Sequence, residues 1–440
     1  MNRIKRVTAA ALALLILSGC GGGSLLPRMT EISDFEVARV FGIDANEDGV
    51  EITLVADRST QGGDGEGGGK ITEILSFSGE TVAAAISKMT IHSDKRQHMG
   101  YVDFLLVGEA AARDGITKYL DYFTRDFESR YSSKIYIIRG DSAKDFLKKT
   151  TSAERSIDAS LNNINELMVE LSVTKVMRII DLVVALSIPY RATIIPALEC
   201  TEIDFAEFVG GELPKKSFVP AGLAFLKDFK LVDYYDAELA PAYNDLSDRE
   251  HATPISIKDD EGDSVSLTVR RERVNVETVW DGDTLKSVKY RFMLYASLTE
   301  QHGIRNLYSD ETLAFIAGAV SDKAKDQLER VIEKSKEHGQ DGFELASRVR
   351  FANPIKWASL NMEERWSEIF PTVDIEVEVD TQIRRTYDLR EPIGYSKDEM
   401  PPQAADRAAE GESAEVTPDA RNPAIGSKSS LMAGAVRWVG

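Results

Sequence analysis

Two cysteines stand in this chain of 440 residues, and the first of them closes an export signal. Arg3, Lys5 and Arg6 precede an apolar run from Val7 to Leu17, which ends on Leu17-Ser18-Gly19-Cys20. The basic residues stay cytoplasmic, the run engages the export machinery, and small residues lead to a cysteine that accepts lipid. The run is too short to cross a bilayer, so residues 1–19 read as a cleaved lipoprotein signal. Cys20 is the expected lipidation site, holding the mature chain on the outer face of the cytoplasmic membrane by more than one acyl chain. Cys200 then has no partner within the mature chain, and the fold must rest on packed cores instead of disulfides. With 43% hydrophobic residues, apolar material suffices for two or three domains.

Charge excludes one class of partner. Beyond the signal, 50 basic residues face 72 acidic ones, so the mature part is strongly anionic. Nucleic acid is not an expected partner, because phosphate binding needs clustered positive charge. Nor does bulk charge attract the chain to anionic lipid, which leaves membrane residence to the Cys20 anchor.

Residues 20–30, with Gly21-Gly22-Gly23-Ser24, form a flexible tether. An N-terminal α+β domain is expected over 31–200. In it, Val37–Asp44 and Val50–Asp57 are strand-like around a hairpin turn at 45–49. The glycines of 61–70 mark a loop. Ser78 is placed to cap a helix through Met89, Tyr101–Val107 and Ser133–Ile138 read as strands, and Glu109–Phe123 reads as helix. Thr151 with Glu154 fits a capping box before a stripe of Ile157, Leu161, Ile164, Met168 and Leu171, and Thr174 is placed to cap a second helix. A strand-rich connecting region spans 201–255, and a C-terminal α+β domain spans 256–395. Short strands are expected over 218–236 and 253–300, a long helix over Leu313–His338 stopped by Gly339, strands over Phe343–Phe351 and Val373–Ile383, and a helix over Asn361–Ile369 between them. Residues 396–440 lack apolar periodicity and read as a disordered tail, with Leu431–Trp438 its one apolar cluster. The fold class is α+β, multi-lobed, with mixed and antiparallel sheets and packed helices.

Catalytic motifs fail when tested. Asp44, Asn46, Asp48 and Gly49 copy the start of an EF-hand loop, but its twelfth position is Val55, where a bidentate Glu is required. The 62–69 glycines have no following Lys-Ser/Thr pair. Ser172-Val173-Thr174-Lys175 matches Ser-x-x-Lys without its companion motifs. Histidines 92, 98, 251, 302 and 338 have no metal-ligand spacing. No catalytic residue, metal site or cofactor is expected beyond the covalent lipid on Cys20.

An ordered series of segments resembles the Ger(x)C family, the lipoprotein C subunits of bacterial spore germinant receptors. After the lipobox come Glu31-Ile32, Gly42-Ile43-Asp44, Gly79-Glu80-Thr81, Leu105-Leu106-Val107-Gly108-Glu109 and Gly115-Ile116. The most specific block is Arg125-Asp126 with Arg130, Ile135–Ile138, Gly140 and Ala143. Gly222-Leu223-Ala224-Phe225, Asp228, Lys230-Leu231-Val232, Trp357, Trp366 and Phe370 follow. The chain departs from the pattern at Gly100-Tyr101, where a His is expected, and near Arg385–Tyr387, where a closing Gly is replaced.

The resemblance implies a non-catalytic receptor subunit on the outer leaflet of the spore's inner membrane, beside two integral membrane subunits, helping nutrients to start germination. Arg125, Asp126 and Arg130 are then candidates for a partner contact, although local pairing of neighbouring charges is the expectation for Arg125 and Asp126. Phe225, Trp357 and Trp366 are interface or structural candidates, and the indoles are expected to pack in a core or between domains. The alternative from another class is an extracytoplasmic solute-binding lipoprotein of a transporter, which would close two lobes on a ligand cleft.

Overall fold

The computed structural model describes residues 35–384, apart from 48, 60–69, 94–95, 127, 153–155, 189, 203–215, 248, 250–251, 304–306 and 308. The signal, Cys20, the tether, nearly all of the glycine loop and the 396–440 tail lie outside the described residues.

In chain order the strands are β1 (Phe35–Glu36), β2 (Ala38–Asn46), β3 (Gly49–Ser59), β4 (Lys70–Gly79), β5 (Arg96–Gln97), β6 (Phe104–Gly108) and β7 (Lys134–Ile138). There follow β8 (Thr193–Thr201), β9 (Ser217–Lys227), β10 (Lys230–Tyr235), β11 (Ala252–Lys258), β12 (Ser264–Asp281), β13 (Thr284–Gln301) and β14 (Asp374–Arg384). An eight-stranded sheet runs β10-β9-β8-β7-β6-β2-β3-β4, and a four-stranded one runs β11-β12-β13-β14. The centre of the larger sheet, β2-β6-β7-β8, is parallel, and antiparallel strands extend both wings. The α+β reading with mixed sheets and packed helices describes this architecture. Strands β9 and β10, from the region read as a connector, are hydrogen-bonded onto β8 in the first sheet.

The apolar runs of β6 and β7 are explained by burial on both faces, as expected for parallel strands between helices. Leu105, Val107, Ile135 and Ile137 point to the side covered by helices Val82–His92, Glu109–Gly115, Thr117–Arg125 and Ile179–Leu186. Phe104, Leu106, Tyr136 and Ile138 point to the side covered by helices Ala143–Thr150 and Ile157–Glu170. In the second sheet, one face packs on the long helix Asp310–Glu337 through Ile316, Val320, Leu328 and Val331.

The EF-hand look-alike is a hairpin turn, with Gly49 at φ 124°. Its Asp44 is buried and accepts bonds from the Ala143 amide at 2.7 Å and the Lys144 amide at 2.9 Å, capping helix Ala143–Thr150. Burial pushes the Asp44 carboxyl up to about 6 against the pull of those two amides.

Six local expectations are corrected. Ser78 sits in the β3–β4 ladder opposite Glu51, so Thr81 caps the next helix by accepting from the Ala84 amide. The segment 109–123 is two helices, broken where Gly115 turns to φ 128°. Thr151 terminates helix Ala143–Thr150, and the following helix begins at Ile157, behind Ser156. The next helix begins at Ile179, where the Asp181 carboxylate accepts from the Arg178 amide, while Thr174 lies buried before it. Most of Phe343–Phe351 lies in helix Leu345–Ala352 in place of a strand, because the Asp341 carboxylate takes its first free amides. Finally, β12 and β13 are 18 residues each, one long hairpin in place of short strands.

Candidate functional site at the junction of the two sheets

The stretch between helices Ile157–Glu170 and Ile179–Leu186 is pinned to helix Ala240–Leu246. The Asn244 amide donates to the Ser172 carbonyl at 3.1 Å, to its hydroxyl at 2.9 Å and to the Thr174 carbonyl at 3.2 Å. These bonds hold Ser172 at φ 60°, a left-handed conformation that a side chain normally avoids. Lys175 donates to the Tyr243 hydroxyl at 3.1 Å, and its ammonium lies 5.1 Å from the Tyr243 ring centre. Ser172 and Lys175 are 1% and 3% exposed, so the Ser-x-x-Lys match is a buried clamp, closed to substrate in this arrangement.

Burial drives the Lys175 ammonium well below the usual lysine range; Arg249 adds to this, and Glu344 opposes it. The unfolded chain therefore binds this proton more tightly than the folded one, and stability rises with pH between the lowered folded value and the ordinary lysine value. Lys175→Met removes the buried amine and keeps most of the volume. It is expected to stabilise the protein at pH 7 by about 1–4 kcal/mol, an advantage that shrinks toward pH 10. Urea unfolding at both pH values checks this, and a less stable variant at pH 7 would show that the Tyr243 bond outweighs desolvation.

Beneath this clamp lies Asp341, fully buried. Its carboxylate accepts from the Leu345 amide at 2.9 Å, the Ala346 amide at 2.7 Å and the Trp366 indole at 3.3 Å. Burial raises its pKa, opposed by those amides and by Arg191. The Asp341 carbonyl also accepts from the Ala192 amide, just ahead of β8, and the Arg191 guanidinium meets Glu344 at 3.0 Å. The first sheet and the C-terminal helices thus share one polar knot.

Aromatic rings enclose it. Trp357 and Trp366 lie 5.3 Å apart between centres, with Tyr190 6.1 Å from Trp357 and Phe370 6.3 Å from Trp366. Phe225, on β9, packs edge-on against Tyr235 at 5.6 Å and lies 5.0 Å from the His338 ring at the end of the long helix. Phe225, Trp357 and Trp366 belong to one apolar cluster, continuous from β8 and β9 into the second sheet. Arg125, Asp126 and Arg130 lie elsewhere. Arg125 pairs with Asp121 at 2.8 Å along its own helix, and Asp126 accepts from the Ser129 hydroxyl at 2.8 Å. Arg130 stands 3.8 Å from Asp103 and 5.8 Å from the Tyr101 ring, at the departure Gly100-Tyr101. Sequence reasoning weighed Lys175 only as part of a rejected Ser-x-x-Lys match and passed over Asp341; the available signal for a buried role was a lone lysine between Val173 and Val176.

A cleft among Val37, Arg39, Val40, Val55, Thr72 and Asp158 encloses about 130 Å³, below the usual size of a small-molecule site. Among the described residues, no three His, Cys, Asp or Glu side chains are grouped to hold a metal, and no helix is long and apolar enough to cross a membrane.

Comparisons with known proteins place this geometry. Residues 28–200 match the family described as Spore germination protein N-terminal domain. Residues 221–387 match the one described as Spore germination B3/GerAC like, C-terminal. Spore germination protein B3 of Bacillus subtilis (strain 168) is 21% identical over 396 residues, covering 87% of this chain and 98% of that protein. YfkR of the same organism, which bears a spore germination name, is 29% identical over 150 residues; the match spans 33% of this chain and 37% of YfkR. The crystal structure of the GerBC protein shares the fold, with a TM-score of 0.50 at 17% identity over 78% of this chain and 97% of that one. Matched in order through both halves, this chain belongs to the Ger(x)C family of spore germinant-receptor C subunits.

Proposed function

We propose that the mature chain is a lipid-anchored subunit of a nutrient germinant receptor, acting by binding and not by catalysis. The observation that carries this reading is the family match through both halves of the chain, preceded by the Cys20 lipobox. Its partners on this reading are two integral membrane subunits, and its place is the outer face of the spore's inner membrane. The chain influences germination by binding one receptor state better than another, since only differential affinity shifts an equilibrium. The junction around Lys175, Asp341 and the tryptophans supports such a role, because it ties the sheets into a unit able to pass a displacement between lobes. The solute-binding alternative draws no support from the small cleft at Arg39.

Deleting the protein is expected to block the response of spores to particular nutrients while leaving germination by receptor-independent agents intact. Cys20→Ala should have the same effect and move the chain out of the membrane fraction. Normal responses to every nutrient after deletion of this and any second receptor copy would refute the receptor reading. A Cys20→Ala chain that stays membrane-bound through a salt wash would refute the lipid anchor alone.

A further inference from the structure

Phe351 and Ile355 are 90% and 83% exposed, more than any other large apolar side chain among the described residues. They flank the corner where helix Leu345–Ala352 gives way to helix Pro354–Ser359. This corner is braced. The Asn353 side-chain amide donates to the Thr278 hydroxyl at 2.7 Å, and Lys356 donates to the Gly282 carbonyl at 2.8 Å with its ammonium 4.6 Å from the Trp280 ring centre. Trp357, next along, is buried in the junction. The corner thus sits on the tip of the β12–β13 hairpin, and its two apolar side chains face water. Residues 345–362 also carry Arg348, Arg350 and Lys356 and no acidic residue, in a chain of net charge −19; the hairpin tip itself contributes Asp281 and Asp283.

We propose that this corner is a membrane-docking tip, with Phe351 and Ile355 entering the bilayer interface and Arg350, Lys356 and Trp280 at headgroup depth. An apolar pair with a lysine and an indole at its base, on helices that also carry two arginines, is the composition of an interfacial contact. A lipid surface fits better than a protein. Two protruding side chains cover far less than the roughly 800 Å² per partner of a stable protein interface, and a fluid bilayer needs no complementary pocket. The inference rests on the lipid-anchor reading in one respect. Fourteen residues separate Cys20 from Phe35, a reach of about 50 Å over fifteen residue steps, so an acylated Cys20 keeps the body near the bilayer and makes a weak insertion effective.

The test uses the full lipidated chain carrying Cys200→Ser, with Phe351→Cys, Ile355→Cys or, as a control of similar exposure, Ile91→Cys. Each is labelled with an environment-sensitive nitrobenzoxadiazole dye and reconstituted in protein-free vesicles of phosphatidylglycerol and phosphatidylethanolamine. The expected result is a blue shift and quenching by spin-labelled lipid at 351 and 355, with a water-like spectrum at 91. Water-like spectra at 351 and 355 on chains that float with the vesicles would overturn the proposal, as would equal insertion at all three sites. A blue shift seen only when the membrane subunits are present would overturn it in favour of a protein partner. Chains that fail to float refute the anchor separately; the labels are then read on chains tethered by an N-terminal His tag to nickel-chelating lipid, where the same spectra decide.

Discussion

Gly222→Ala is expected to lower stability by more than about 4 kcal/mol, enough to deplete the folded protein at 37 °C. Gly222 lies on β9 beside a register shift in the β8–β9 pairing, at φ 89°. An alanine there meets the left-handed penalty of roughly 1–2 kcal/mol. Its Cβ would also strike the Tyr235 carbonyl oxygen and come within 2.6 Å of the Asp236 carbonyl carbon and 2.7 Å of the Ala237 nitrogen. Those atoms are backbone at the end of β10 and cannot swing aside as a flexible side chain would. Gly140→Ala is the control, since Gly140 has φ 72° with nothing within 4 Å of the added carbon. It should lose only the conformational part. Urea melts of both variants measure the difference, and similar losses would mean that the backbone at the end of β10 yields easily.

The second large effect belongs to Asp341. Asp341→Ala is expected to cost about 3–5 kcal/mol, because it strips the acceptor from the Leu345 and Ala346 amides and the Trp366 indole in a site without water access. It also leaves Arg191 facing a junction without that carboxylate. Asp341→Asn keeps the volume and one acceptor oxygen but turns an N–H₂ toward donors, so it should recover only part of the loss. Chemical denaturation, read by Trp357 and Trp366 fluorescence, tests both. An Asp341→Ala protein as stable as its parent would show that the helix termini reorganise around the gap.

Much of the architecture is legible in residue patterns, for reasons that are local. The 45–49 turn chemistry between two apolar runs marks the β2–β3 hairpin, and the double-faced apolar runs at 104–108 and 134–138 mark buried strands. The long helix is bounded by acids in its first turn and by Gly339 at φ 65° after its last. Errors fall where a distant group decides. Phe343, Leu345, Val349 and Phe351 share a strand-like period, yet the segment is helical because Asp341 caps it and Leu345, Ala346 and Val349 face the core. Ser78 is a sound cap in isolation, but β4 needs it for the ladder with β3. Lys175 belongs to a motif rejected for catalysis, and only the approach of Tyr243 and Asn244, 68 and 72 residues away from their partners, gives that stretch a structural role.

By itself, then, the sequence determined the alternation of elements, an excess of acidic residues, apolar material enough for packed cores, and a string of blocks distinctive enough to carry the family. Those properties follow from side-chain size, charge and period, which act over a few neighbouring residues. The tertiary structure alone decided that β9 and β10 complete the first sheet, that Phe225 joins Trp357 and Trp366 in one cluster, and that Asp341 and Lys175 lie buried between the sheets. It likewise decided that Phe351 faces water while Trp357, six residues on, does not. Strand order and burial of this kind are set by contacts between residues far apart in the chain, where local propensity carries no information about which surface will meet which.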